Sequence, residues 1–163
     1  MRKSVAGALL MIFSTAGALA MPSSLTLSRL LDICGSSTVP EAVTKGDALG
    51  WQRRADAEFE EWRTHFRNYN SGSVEVVGWR RGAQAGEDLL SFWIAKGPNG
   101  HRACSYSPTD PAGFLEALMA HFGTPDSLDK HEFGTVAFWK QGATEVSFSQ
   151  VGSSTGITIG HND

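Results

Sequence analysis

Gly152-Ser153-Ser154-Thr155-Gly156 reads G-S-S-T-G, which fits the G-x-S-x-G pattern that holds the nucleophilic serine of many hydrolases. That motif works by mechanics. A strained strand-to-helix turn lifts the serine above an oxyanion hole at a helix N-terminus, and an acid and a histidine follow later in the chain. Here Gly156 is followed by ITIGHND, which reads as a strand and not as the required helix. His161 and Asp163 come after Ser154, within that same short stretch. Gly, Ser and Thr between two β-like runs are the composition of a hairpin turn. The stretch is therefore read as a turn, with no catalytic serine.

The remaining reactive residue types are scattered. The five histidines are His65, His101, His121, His131 and His161, and no two share the i, i+4 spacing of a helical metal pair. The densest polar cluster, Asp126, Asp129, His131 and Glu132 in TPDSLDKHEFG, lacks the acidic ladder and closing Glu of a calcium loop. It reads as a solvated connection. The carboxylate pairs Glu60-Glu61 and Glu87-Asp88 are candidates for glycosidase chemistry, but adjacent residues of a strand point to opposite faces. Neither a dinucleotide-binding G-x-G-x-x-G nor a Walker pattern occurs. The expectation is no catalytic residue, no metal and no cofactor.

Five tryptophans, Trp51, Trp62, Trp79, Trp93 and Trp139, are a more promising signal. Trp93 and Trp139 follow Phe92 and Phe138 on strand-like runs, so the rings of each pair go to opposite faces of a sheet. Either both faces are covered, or one aromatic of each pair is exposed as a binding face is. Trp79, Trp93 and Trp139 are the candidate binding surface.

These residues need a scaffold, and the chain describes one. MRKSVAGALLMIFSTAGALA has a basic start, an apolar run and Ala18-Leu19-Ala20, the pattern of a secretory signal peptide cleaved after Ala20. The expected organisation is a signal peptide over 1–20 and a single α+β domain over 21–163. Removal of Arg2 and Lys3 leaves 12 basic against 17 acidic residues. An acidic chain disfavours nucleic acid as a partner. No later stretch is apolar enough to span a membrane. Two cysteines in an exported chain suggest a Cys34–Cys104 disulfide.

Apolar periodicity places three helices first, in SLTLSRLLDIC, TVPEAVTKGDALGW and RADAEFEEWRTHFRN. Thr38 and Glu41 have capping-box spacing, and Ala42, Val43, Gly46 and Leu49 form a face of small residues. The strands SVEVVGWR, DLLSFWIAK and HRACSYS follow, with an Asn99-Gly100 hairpin signal before the third. PAGFLEALMAHF is a fourth helix, and GTVAFWK, TEVSFSQV and GITIG are three further strands. The order is ααα-βββ-α-βββ. It predicts one twisted antiparallel sheet with helices on one face.

RACSYSPTDPAGFLEALMAHFGTP resembles small exported bacterial proteins of unknown function, as does the earlier stretch with Cys34 and DALGW. The resemblance implies an architecture and carries no activity or catalytic residue. The functional expectation is a periplasmic or secreted non-enzymatic domain that binds a partner in the cell envelope, either a protein or a glycan. The rival readings are an inhibitor of an envelope hydrolase, and a small hydrolase using His, Asp and Glu of the C-terminal half.

Overall fold

The computed structural model describes residues 25–83 and 86–162. The expected signal peptide lies outside them. Among the described residues there are four helices, α1 (Leu27–Cys34), α2 (Val39–Asp47), α3 (Glu60–Asn70) and α4 (Phe114–Phe122). A 3-10 turn, Asp56–Phe59, leads into α3. The eight strands are β1 (Gln52–Arg53), β2 (Ser73–Arg81), β3 (Asp88–Lys96), β4 (His101–Ser107), β5 (Ser127–His131), β6 (Gly134–Gln141), β7 (Thr144–Val151) and β8 (Ser154–His161).

The fold is α+β and dominated by its sheet. The expected order needs two corrections, because β1 and β5 were not foreseen. β5 falls within the stretch read as a solvated connection. All five of its residues are exposed, so it has no apolar alternation to mark it. Its backbone ladder to β6 alone makes it a strand.

All pairings are antiparallel, in the order β1-β2-β3-β4-β8-β7-β6-β5. The sheet is two four-stranded meanders, β1–β4 and β5–β8, that meet where β4 pairs with β8. Gly142 and Gly152 take φ of 59° and 58° at the first central position of the β6–β7 and β7–β8 turns, where glycine avoids the penalty a Cβ brings.

One face of the sheet is closed. Trp79, Leu90, Phe92, Cys104, Tyr106, Ile159, Val146, Phe148 and Trp139 form a continuous core with Leu30, Ile33 and Ala42 of α1 and α2 and Leu118 of α4. The disulfide Cys34–Cys104 ties α1 to β4 within this core, with Cα atoms 5.4 Å apart and both cysteines fully buried.

The small-residue face of α2 lies against this layer. The indole N–H of Trp79 donates to Asp47 Oδ1 at 2.9 Å, and Gly46 sits against its ring. Trp139, the matching residue of the second meander, donates to the carbonyl of Gly123 at the end of α4, also at 2.9 Å. Helix α4 starts at Phe114 and not at Pro111. Asp110 instead accepts from the Ala112 N–H, and Gly113 takes φ 78°, outside the helical range.

The helices do not all lie on that face, as the sequence had suggested. Helix α3 packs on the other one. Phe59 lies over Gly78, where a Cβ would meet the ring at 2.8 Å. Trp62 meets Trp93 edge-on at 5.6 Å, and Phe66 meets the ring of His101 at 5.8 Å. The α3 stripe thus covers β2, β3 and the His101 end of β4, and leaves the rest of β4 and β8, β7 and β6 without a helix on this side.

Candidate functional site

The bare side is where polar and aromatic groups gather. Strand alternation sends Phe92, Cys104, Val146 and Ile159 inward, so their neighbours face out. Register then aligns the outward residues across six strands. Gly78 pairs with Ser91, Ser91 with Ser105, Ser105 with Thr158, Thr158 with Ser147, and Ser147 with Phe138. From Ser91 to Ser147 this is a row of four hydroxyls about 14 Å long, at one strand spacing each. All four residues are half-buried. None makes a side-chain hydrogen bond to another described residue.

Aromatic rings rim the row. Trp62 and Trp93 stand on the α3 side, and Phe138 on the β6 side. Two hollows result. One, of about 360 Å³, lies between α3 and the strands and is lined by Arg54, Glu58, Trp62, Ser91 and Ser105 among others. The other, of about 300 Å³, is lined by His101, Ala103, Phe138, Glu145 and Ser147 among others. Trp93 and Thr158 belong to both, so Trp93 is the wall between them. Beside Trp93 the next positions across the sheet are Ala103 and Gly160, whose small size leaves the second hollow open.

The orientation of Trp93 is fixed by His101. The Trp93 indole N–H donates to His101 Nε2 at 3.2 Å, while His101 Nδ1 lies 3.0 Å from the Asn99 carbonyl. Both contacts are hydrogen bonds only when the proton is on Nδ1 and Nε2 offers its lone pair. Both ring nitrogens are then engaged, so His101 serves as a support for Trp93.

The charged groups of the trough are likewise engaged. Glu58 lies between Arg54 (3.3 Å) and Arg80 (2.5 Å), and Glu145 pairs with Lys140 at 2.8 Å. The Ala55 N–H, then Arg54 and Arg80, hold the Glu58 carboxyl below its usual range.

Of the three tryptophans expected to form a surface, only Trp93 faces the trough. Trp79 and Trp139 are 0% and 1% exposed and belong to the core. In each phenylalanine–tryptophan pair the rings do go to opposite faces, but the two meanders orient the pair in opposite ways. In β3 the phenylalanine is inward and the tryptophan outward, whereas in β6 Phe138 is outward and Trp139 inward. The hydroxyl row and Phe138 were missed. The signal was present as the polar half of alternations such as Val146-Ser147-Phe148 and Ile157-Thr158-Ile159, but only the register shows that these halves line up.

G-S-S-T-G is a hairpin, as expected: Val151 pairs with Ser154 around Gly152-Ser153. Ser154 and His161 are the two ends of β8, about 23 Å apart at the rise of a strand. His131 is exposed on β5, and its Nδ1 accepts from the Phe133 N–H. Among the described residues no group of three His, Cys, Asp or Glu is placed to hold a metal ion. No described helix is long and apolar enough to cross a membrane. Comparison with known proteins finds no matching family model, no matching curated protein and no matching solved structure.

Proposed function

We propose that the chain is an exported binding protein that holds a component of the cell envelope against the open face of its sheet. The observation that carries this reading is the contrast between the two faces. One is closed by α1, α2 and α4. The other presents aligned, unengaged hydroxyls between aromatic rims over four adjacent strands. A surface kept only for solubility has no need of half-buried aromatics beside a hollow.

Binding is favoured over catalysis by the state of the ionisable groups there. His101 has both nitrogens occupied, and Arg54, Glu58 and Glu145 are in ion pairs. A nucleophile or general base needs an available lone pair within reach of substrate. Export is supported by the leader-like first twenty residues and by the disulfide. The test is retention of envelope-extract components on the immobilised oxidised protein, beside a Ser105→Arg variant that fills the trough. A component held by the parent and released by the variant is the expected result. Equal retention by both would remove the open face from consideration.

A further inference from the structure

We propose that the trough takes an uncharged oligosaccharide chain, with sugar rings in the hollows on either side of Trp93. This rests on the open face being the binding surface, and it specifies the ligand by chemistry.

A sugar ring has C–H faces and a rim of hydroxyls, each both donor and acceptor. Ser91, Ser105, Thr158 and Ser147 offer hydroxyls of the same dual character in a line. Trp62, Trp93 and Phe138 offer the flat apolar faces against which C–H groups pack. Two hollows that share Trp93 and Thr158 make an elongated site, suited to a chain longer than one ring. Trp93 is held by His101 and braced by Trp62 before any ligand arrives, which lowers the ordering cost of binding.

Other ligand classes fit less well. Each charged side chain lining the hollows is already in an ion pair, so a charged ligand would have to compete with Arg54–Glu58, Arg80–Glu58 or Lys140–Glu145. An acyl chain or apolar peptide would cover the hydroxyl row without giving it partners. A peptide cannot add as a strand here, because β3, β4, β8 and β7 are each paired along both edges.

The test is titration of the oxidised protein with linear gluco-, manno- and N-acetylglucosamine oligomers of two to six rings, followed by calorimetry and tryptophan fluorescence. An oligogalacturonate serves as the charged control. One uncharged series should bind, its hexamer at least about tenfold tighter than its dimer, since a longer chain fills both hollows at once. Trp93→Ala should weaken it by at least about tenfold. Ser147→Arg, away from the core, should do the same while keeping the parent's thermal midpoint.

Absence of binding by every uncharged series up to about 10 mM, a range weaker than that of ordinary specific ligands, would overturn the proposal. So would stronger binding of oligogalacturonate, or binding that survives both variants. If envelope capture still depended on Ser105 in that case, the ligand class alone would fall and a protein partner would take its place. If capture also failed, the binding-face reading would fall with it.

Discussion

At Gly46 an added methyl group would collide with the indole of Trp79, which lies directly against the helix backbone. Gly46→Ala gains helix propensity of up to about 1 kcal/mol but forces α2 off the sheet. We expect a net loss of about 1–3 kcal/mol in urea unfolding, the usual range for overpacking. An unchanged midpoint would mean that α2 has room to shift. Asp88 is the second sensitive residue. Its carboxylate is 2% exposed, accepts from the N–H and hydroxyl of Thr109 at 2.7 Å each, and pairs with Arg81 at 2.5 Å. Burial alone raises its pKa; the Thr109 bonds and Arg81 outweigh burial and hold it below the usual value. A carboxyl depressed by folding adds stability that is complete above its unfolded pKa, about 4, and is lost as pH falls through the lower folded value. Unfolding free energy should therefore decline below about pH 4. Asp88→Asn should remove part of that decline and destabilise the neutral protein by about 1–3 kcal/mol. Identical pH profiles for parent and variant would show that other carboxyls carry the acid response. The neighbouring Tyr106 hydroxyl is pushed up, chiefly by burial and then by the Asp88 charge, and stays neutral throughout this range.

Among the elements, those with an apolar face were legible and those without one were not. The α1 stripe with Cys34 upon it, the capping pair Thr38 and Glu41, and the six longer strands all announce themselves through periodicity. The Thr38 hydroxyl does accept from the Glu41 N–H, at 3.2 Å. β5 has no stripe, since it is the exposed edge, and Asp129, Lys130 and His131 there suit an edge that must not recruit another strand. The stripe of α3 shows that the helix packs, but amphipathicity does not say on which side of a sheet. That choice decides the candidate site, because α3 on the closed face would leave Trp93 without Trp62. The phenylalanine–tryptophan pairs were ambiguous for a related reason: both residues are apolar, so alternation cannot say which is inside. The disulfide joins α1 to a strand 70 residues away. Opening so long a loop should lower stability by about 4 kcal/mol in the chain-entropy model. Urea unfolding of a Cys34→Ala, Cys104→Ala variant checks this, and thiol labelling of the denatured, unreduced parent should find no free cysteine. Two labelled thiols would remove the covalent link between α1 and β4.

At the scale of the molecule, one core runs under both meanders, from Trp79 and Phe92 to Val146 and Trp139. Unfolding should then be a single transition, with near- and far-ultraviolet circular dichroism coinciding. Two separate transitions would mean that the meanders are independent units that merely touch. The joint between them has a consequence for how the chain is made. β4 finds its second neighbour in β8, the last of the eight strands to be synthesised. While β5, β6 and β7 emerge, β4 keeps a bare edge in what will become the middle of the sheet. Until β8 arrives, and not in the finished fold, that inner edge of β4 is open to pairing with a second unfolded copy, so any delay in delivering the second meander prolongs the exposure.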